Sequence, residues 1–121
     1  MKDLPTFLKA LADPNRLRLL TAIDTHGELC ACQLTELLGV TGATCSQHLS
    51  QLVKAGLLKR RRAGRWMHFS RDPAALTPGQ ASIANQVIQT FRTDPTWETA
   101  NQRLAEILSI TPRTLCLSQR S

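Results

Sequence analysis

The sequence predicts a mostly helical domain that carries one small β-hairpin. Apolar residues recur at helical spacing in most of the chain, and a strand-like pattern is confined to the segment LLKRRRAGRWMHFS. The 121 residues contain no repeat and no low-complexity segment, and their composition does not change abruptly along the chain. We therefore expect one domain over residues 1–110 and a flexible tail over residues 111–121.

Two helices are predicted at the N-terminus. The first is indicated by apolar residues at helical spacing, which are Leu4, Phe7, Leu8 and Leu11. Asp13 and Pro14 supply an N-cap and a first-turn proline for the second helix, which ends at His26 and Gly27.

The next two helices are predicted to form a helix-turn-helix. The third helix begins near Cys30 and ends at Gly39, a residue suited to the left-handed conformation that follows many helices. Thr41 caps a fourth helix, which ends at Gly56 and carries apolar residues on one side only. Two short helices joined by a turn of about three residues are typical of a helix-turn-helix, here over residues 30–56.

A hairpin and two further helices complete the predicted fold. Strand-like alternation over residues 57–70, with a turn at Ala63 and Gly64 and arginines on both sides of it, predicts the hairpin known as a wing. Thr77 and Asp94 then begin two helices over residues 77–110. The whole pattern predicts a winged helix-turn-helix domain.

The charge balance limits the classes of partner. Lys and Arg number 15 against 9 Asp and Glu, so the net charge is +6 and the chain attracts polyanions. A membrane is disfavoured because the sequence has no apolar span of about 20 residues and no basic amphipathic helix. The N-terminus lacks the uninterrupted apolar run of a secretory signal, so we expect a cytoplasmic protein with reduced cysteines.

Polar side chains on the fourth helix and arginines on the wing indicate binding to double-stranded DNA. The outward side of the helix carries short or flat hydrogen-bonding groups that suit base edges and phosphates, although any solvated helix face is polar. The clustered wing arginines favour DNA because they repel one another unless an external anion compensates, although charge also protects edge strands. The candidate DNA-binding residues are Thr41, Thr44, Ser46, Gln47, His48, Arg60, Arg62 and Arg65.

We expect the domain to form a homodimer through its first helix and the helices of residues 77–110. The apolar residues there exceed what so thin a domain can cover, and they are Phe7, Leu11, Ile83, Val87 and Phe91. A two-fold dimer predicts an inverted-repeat operator whose half-sites lie about 34 Å apart.

Two segments resemble the ArsR/SmtB family of metalloregulatory repressors, LADPNRLRLL and GELCACQLTELLGVTGATCSQHLSQLVKAGLLKRRRAGRWMHFS. The resemblance covers the chain from Phe7 to Ser70 and implies a winged-helix homodimer that leaves its operator when an inducer binds. Within it, ELCACQL is similar to the ELCxCxL signature of the branch that responds to arsenite and antimonite. The resemblance therefore implies As(III) or Sb(III) as the inducer and Cys30 and Cys32 as its ligands.

The chain departs from this family pattern at two positions. Thr35 stands where a third cysteine is often found, three residues after Cys32. Gly42 stands where a glutamine is common near the start of the fourth helix. The first departure puts a three-thiolate site within one helix in doubt, and the second removes one base contact.

Cys30 and Cys32 also have a physical argument of their own. A capping-box register places Cys30 at the N-cap of the third helix and Gln33 at its third position. The positive end of a helix favours thiolates, which bind soft acceptors such as As(III) and Sb(III). Residues two apart lie on nearly opposite sides of a helix, so two sulfurs that hold one ion should distort this turn, which supports the fourth helix. The alternative is that both are ordinary small core residues.

The other cysteines and histidines receive separate interpretations. Cys45 lies on the apolar side of the fourth helix, so we expect a core residue. Cys116 lies in the expected tail and is the candidate third ligand, from either protomer, although a tail thiol is often incidental. His26 is expected in an exposed turn, and His68 on the wing is expected to pack or to touch a phosphate. The C-terminal helices contain no histidine and only scattered acids, so the interhelical zinc site of other family members has no ligands here.

Three classes of function are therefore considered. The leading one is a repressor released from DNA by trivalent arsenic or antimony, with no organic cofactor. The alternative is a repressor of the same fold that responds to thiol oxidation or persulfide at Cys30, Cys32 or Cys116. An enzyme is disfavoured because the sequence has no Ser/His/acid order, no Gly-rich phosphate loop and no His/carboxylate metal spacing.

Overall fold

The computed structural model describes residues 3–119, which form seven α-helices and three β-strands. The helices are α1 (Leu4–Leu11), α2 (Pro14–His26), α3 (Ala31–Leu38), α4 (Gly42–Lys54), α5 (Pro78–Arg92), α6 (Pro95–Leu108) and α7 (Pro112–Gln119). The strands are β1 (Glu28–Cys30), β2 (Leu58–Ala63) and β3 (Trp66–Arg71), and a short 3₁₀ turn follows over Pro73–Ala75. The prediction of a mostly helical fold with a small hairpin is confirmed.

Several helices begin where the sequence places a cap. The Asp13 carboxylate accepts hydrogen bonds from the backbone N–H groups of Asn15 and Arg16, at 2.8 and 3.1 Å. At the start of α5, the Thr77 hydroxyl accepts from the N–H of Gln80, and Gln80 Oε1 accepts from the N–H of Thr77, both at 3.2 Å. These bonds satisfy amides that have no partner within the helix, so the starts of α2 and α5 follow from local chemistry.

The three strands form one antiparallel sheet in the order β1-β3-β2. Strands β2 and β3 are the predicted hairpin, whereas the sequence does not predict β1, because three residues are too few to show alternation. The hairpin turn is formed by Gly64 and Arg65, one residue later than predicted, because Ala63 pairs with Trp66. Gly64 has a φ of 63°, which suits the first central position of a two-residue hairpin turn.

One cluster of buried apolar side chains joins all of the helices and strands of residues 3–119. Phe7 and Leu11 of α1 are buried within this cluster, with 0% and 5% of their surface exposed, so the prediction that they exceed what one chain can cover is wrong. Leu4 and Leu8 share a helix with Phe7 but are 49% and 43% exposed, so the predicted apolar stripe is only half covered within one chain. Within the described part of the chain, no helix is both long enough and apolar enough to span a membrane.

Helix α7 occupies a segment for which the sequence predicts a flexible tail, and that prediction is wrong for residues 112–119. Leu115 is buried in the core, with 4% of its surface exposed. Gln119 Nε2 donates to the carbonyl oxygen of Cys32 at 2.9 Å and to Glu36 Oε2 at 3.2 Å. These long-range contacts dock α7 against α3, and local sequence does not reveal them. The last two residues of the predicted tail lie outside the described part of the chain.

Candidate DNA-binding surface and thiol cavity

Helix α4 exposes the polar side that is predicted to contact DNA. At its start the Thr41 hydroxyl oxygen accepts from the N–H of Thr44 at 3.2 Å, and both residues are exposed. Cys45, Leu49 and Leu52 anchor the other side of the helix in the core. The accessible residues on the polar side, exposed or half-buried, are Thr41, Thr44, Ser46, Gln47, His48, Ser50 and Gln51. The predicted DNA-binding residues of α4 are therefore accessible, and their contact with DNA stays a prediction.

Arg16 of α2 lies beside this surface and is a further candidate DNA contact, which the sequence pattern does not indicate. Its Nε donates to the carbonyl oxygen of Ala10 and its Nη2 to that of Lys9, both at 2.9 Å. These bonds hold the guanidinium group so that Nη1 lies 3.5 Å from Nδ1 of His48. Arg16 and His48 are 32 positions apart in sequence, and no local motif indicates that they meet.

The arginines of the wing fall into two classes. Arg61 forms a doubly bonded ion pair with Glu28 of β1, with Nη2 and Nε at 2.5 and 3.2 Å from the two carboxylate oxygens. These bonds from Arg61 hold the pKa of the Glu28 carboxyl below its usual value. In contrast, Arg60, Arg62 and Arg65 are exposed and form no ion pair with any residue in the described range 3–119. Their charges are available to an external anion.

The base of the wing is fixed to the helices by a carboxylate shared between two arginines. Asp24 of α2 accepts a hydrogen bond from Nη1 of Arg71, the last residue of β3, at 2.9 Å. The same carboxylate accepts from Nη2 of Arg92 in α5 at 2.8 Å. All three side chains are partly buried, so this cluster fixes the hairpin relative to α2 and α5.

Cys30 lies at the junction between the sheet and α3. It occupies the predicted N-cap, and its N–H donates to Oε1 of Gln33 at 3.0 Å. It is also the last residue of β1, where it pairs with His68 of β3. Cys30 is buried, with 2% of its surface exposed.

Cys32 is joined to Cys116 of α7 by a disulfide, with the two Cα atoms 5.5 Å apart. The prediction that the cysteines are reduced is therefore wrong for this pair, while Cys30 and Cys45 are free thiols. The cause is tertiary packing, because the contact between α7 and α3 brings together residues that are 84 positions apart. The candidate third ligand, Cys116, thus lies directly against Cys32.

A cavity of about 400 Å³ connects these cysteines to the wing, and we call it the thiol cavity. Its wall includes the three candidate ligands Cys30, Cys32 and Cys116. The other lining residues come from the wing, α3 and α7, and they are Ala31, Arg65, Trp66, Met67, Arg113, Leu117 and Gln119. Candidate sensing residues and one candidate DNA-binding residue, Arg65, therefore line the same space. No local pattern in the sequence singles out Trp66, Met67 or Arg113, because only tertiary contacts place them beside the cysteines.

Cys45 is a core residue, as predicted, with no exposed surface. Burial raises the pKa of its thiol, and a hydrogen bond with Thr35 partly offsets that shift. Thr35 is 8% exposed and donates its hydroxyl to the carbonyl oxygen of Ala31 at 2.8 Å. The residue that replaces the family's third cysteine is therefore a core residue beside Cys45.

The sulfur atoms of the thiol cavity are donors that suit a soft ion once the disulfide is reduced. The sulfurs of Cys32 and Cys116 are bonded to each other, and Cys30 lines the same cavity. Thiolates prefer soft acceptors over hard cations. Within residues 3–119, no group of three or more His, Cys, Asp or Glu side chains is arranged to hold a metal ion. His26 is exposed at the end of α2 and His68 is half-buried in β3, and neither is among the lining residues of the cavity.

Comparison with known proteins identifies a family. A family model described as "Bacterial regulatory protein, arsR family" matches residues 13–60. The "Arsenic resistance transcriptional regulator ArsR1" of Pseudomonas putida is 42% identical over 69 residues, which are 57% of this chain and 54% of that protein. An HTH-type transcriptional regulator of Methanocaldococcus jannaschii is 40% identical over 61 residues, which are 50% of this chain and 68% of that protein. Among solved structures, HlyU of Vibrio cholerae has a TM-score of 0.59 at 22% identity and is similar over 74% of this chain and 87% of that chain.

The matches agree with the fold and with the exclusion of an enzyme. The solved structure supports the fold alone, because its identity is low. The matched segment spans about half the length of the Pseudomonas relative. The two sequence relatives are named as transcriptional regulators and not as enzymes. Because the family model covers α2 to β2 and the Methanocaldococcus relative is matched over two thirds of its length, the chain belongs to the arsR family of bacterial regulatory proteins.

Proposed function

We propose that this chain is a homodimeric repressor that binds double-stranded operator DNA and is released when As(III) or Sb(III) binds its cysteine thiolates. The net charge of +6 and the unpaired wing arginines support DNA binding. The relative whose name refers to arsenic resistance supports the choice of inducer. The proposed DNA contacts are Thr41, Thr44, Ser46, Gln47, His48, Arg60, Arg62 and Arg65.

The observation that carries this proposal is that the cysteines and the wing line one cavity. Helix α3 contributes Cys32 to the wall and packs against α4, the proposed DNA-reading helix. Strand β3 contributes Trp66 and Met67 to the same wall and forms half of the wing. An ion held by the cysteines would therefore act on both DNA-binding elements at once, which is the coupling that an inducible repressor needs.

Cys32 and Cys116 are the residues that would hold the inducer, with Cys30 as a third donor. Trivalent arsenic and antimony bond to thiolate sulfur, so the disulfide must be reduced before they bind. Cys30 and Cys32 lie two residues apart at the start of α3, so a site that uses both would distort this turn. The distortion would move β1, which is paired with β3 of the wing.

Fluorescence anisotropy of a labelled operator tests this function. The operator is selected by the protein from a random DNA pool, and the reduced complex is titrated with arsenite, antimonite, cadmium and zinc. We expect arsenite and antimonite to release the wild-type protein, and Cys32→Ser to bind DNA normally but to resist release, because serine lacks the soft sulfur.

The free thiol of Cys45 supplies the matched control, because it lies in the core and outside the thiol cavity. Cys45→Ala is expected to keep the wild-type response to arsenite. Dissociation of both Cys30→Ser and Cys32→Ser at the wild-type arsenite concentration would contradict the proposed inducer site.

The disulfide between Cys32 and Cys116 favours a second candidate, a repressor that responds to thiol oxidation or persulfide. In this case the disulfide itself alters the position of α7 against α3, and no metalloid is required. The two candidates differ under strict reduction. Under strict reduction an arsenic-responsive repressor is released by arsenite alone and a redox repressor is not, and the redox repressor changes its DNA affinity only after the reductant is removed and diamide or a persulfide is added.

The partner proposed for dimerisation is a second copy of this chain. A shallow groove between α2 and α5 is lined by Leu17, Val87 and Phe91, and Leu4 and Leu8 of α1 are exposed. A second subunit, related by a two-fold axis beside α1 and α5, would cover these apolar side chains, and the two wings would then lie on one side of the dimer. Sedimentation equilibrium at micromolar concentration is expected to give a dimer, and a monomer would contradict the arrangement.

A further inference from the structure

Two arginines in the wall of the thiol cavity have no acidic partner within residues 3–119. Arg65 lies in the turn of the wing, Arg113 lies in the first turn of α7, and both are exposed. No Asp or Glu is among the described lining residues of this cavity. Among the described residues, four arginines outside this cavity are paired with carboxylates, whereas Arg60 and Arg62 of the wing are not, and the paired ones are Arg61, Arg71, Arg92 and Arg103. The wall of the thiol cavity therefore carries a positive charge that the protein does not balance locally.

The same wall contains the disulfide of Cys32 and Cys116, and both cysteines are only half-buried. A disulfide reacts with thiolates, and the rate depends on access to its sulfur atoms. Trp66, Met67 and Leu117 supply apolar surface for the carbon skeleton of a small molecule. The cavity volume of about 400 Å³ lies within the range of small-molecule sites.

We propose that the thiol cavity binds an anionic low-molecular-weight thiol, such as a carboxylate-bearing thiol peptide, which exchanges with the Cys32–Cys116 disulfide. The guanidinium groups of Arg65 and Arg113 bind the anionic group of this molecule. Its carbon skeleton lies against Trp66, and its sulfur reaches the disulfide. A neutral thiol lacks the charge interaction, and a cationic thiol is repelled by both arginines.

The exchange requires no reactant other than the thiol. A thiolate RS⁻ attacks one sulfur of the disulfide, the bond between Cys32 and Cys116 breaks, and the other cysteine leaves as a thiolate that takes a proton from water. A second RS⁻ attacks the mixed disulfide, releases RSSR and frees the remaining cysteine. In total, two RSH and one protein disulfide give one RSSR and two protein thiols.

This inference extends the proposed function, because it names the class of reductant that prepares the inducer site. Reduction frees the sulfurs of Cys32 and Cys116 for a metalloid. Arg65 is also a proposed DNA contact, so the bound anion and a DNA phosphate would compete for it. The exchange is measured without DNA and without a metalloid, so its outcome is independent of whether the chain is an arsenic-responsive repressor.

The test is the rate of disulfide reduction by three thiols of different charge. The probes are mercaptoethanesulfonate, 2-mercaptoethanol and cysteamine, which are anionic, neutral and cationic. Each rate is divided by the thiolate concentration and by the rate of the same thiol with a neutral small-molecule disulfide. Acid quenching, alkylation and mass spectrometry count the free cysteines, which rise from two to four in the described chain.

At low ionic strength we expect the normalised rate to be about tenfold higher for the anionic than for the neutral thiol, because each of the two arginines, at about 6 Å in water, changes the rate about threefold. Arg113→Gln is expected to lower the ratio of the anionic to the neutral normalised rate about threefold. Arg113→Lys keeps the charge and is expected to keep most of the ratio. Lys59→Gln is the matched control, because Lys59 is exposed on β2, is not among the lining residues and changes the net charge equally.

Two results would overturn the proposal. Equal normalised rates for the three thiols in the wild-type protein at low ionic strength would mean that the cavity does not select an anion. An equal fall of the ratio in Lys59→Gln and Arg113→Gln would assign the effect to net charge rather than to the cavity. The proposal is supported if the rate ratio falls in Arg113→Gln and stays close to the wild-type ratio in Arg113→Lys.

Discussion

The DNA-binding surface and the thiol cavity are built in different ways. The proposed DNA contacts lie between Thr41 and Arg65, on one helix and one hairpin whose periodic patterns are visible in the sequence. The thiol cavity joins β1, α3, the wing and α7, and its disulfide links residues 84 positions apart. Local pattern is therefore enough to locate the first surface, whereas helix packing decides which cysteines meet in the second.

The largest expected effect concerns the link between α3 and α7. Because the disulfide closes a loop between positions 84 apart, we expect the oxidised protein to be more stable than the reduced protein by about 4 kcal/mol in free energy of unfolding. Urea titrations with and without a reductant measure the difference. Cys116→Ser should be insensitive to the reductant, and equal stabilities of oxidised and reduced wild-type protein would contradict the link.

The same contrast explains how much of the structure could be predicted from the sequence. The caps at Asp13 and Thr77 and the hairpin are local, so their chemistry identifies them. Helix α7 depends on burial of Leu115 and on the hydrogen bonds of Gln119 to α3, which are long-range. The apolar content of this segment is low, so the sequence predicts a tail and gives no sign that Cys116 pairs with Cys32.

The arginine cluster of the wing gives a second example. Side chains alternate along a strand, so the sequence places Arg60 and Arg62 on one face and Arg61 on the other, but it does not show what Arg61 contacts. Only the register of β1 against β3 brings Glu28 close enough to pair with Arg61. Short strands such as β1 have no signal of their own, so this difference between neighbours requires the structure.

Gln47 tests whether α4 reads bases. Gln47 is exposed on the polar side of α4, and we expect Gln47→Ala to lose about 1–3 kcal/mol of discrimination at the base pair that it contacts. Binding of the variant to the selected operator and to single-base operator mutants measures this loss. Unchanged discrimination at every position would remove Gln47 from the reading surface.

Arg61 and Arg62 test the difference between paired and unpaired wing arginines. Arg62→Ala is expected to reduce the slope of log affinity against log salt by about one unit, because one phosphate contact is lost. Arg61→Ala should leave the slope nearly unchanged, because Arg61 is bound to Glu28. Anisotropy at several salt concentrations measures both slopes, and equal changes in the two variants would refute the distinction.

The smallest expected effect is the pH dependence that arises from Cys45. Burial raises the pKa of the folded thiol above its ordinary value of 9.0, so the unfolded chain loses this proton first as the pH rises. The contribution of the Cys45 thiol to the free energy of unfolding is fully present below pH 9.0 and declines above it. Cys45→Ala should therefore show a shallower loss of stability above pH 9.0 than the wild-type protein, as measured by urea titration at a series of pH values. If the slope of stability against pH is the same in both proteins, groups other than Cys45 cause the loss of stability at alkaline pH.

The central claim is that sulfurs from α3 and α7 hold the inducer together beside the wing. X-ray absorption at the arsenic edge, on reduced protein with one equivalent of arsenite, counts the sulfur atoms bound to arsenic. We predict that Cys116→Ser has one fewer sulfur ligand than the wild-type protein and that Cys45→Ala has the same number. An unchanged sulfur count in Cys116→Ser would contradict the claim.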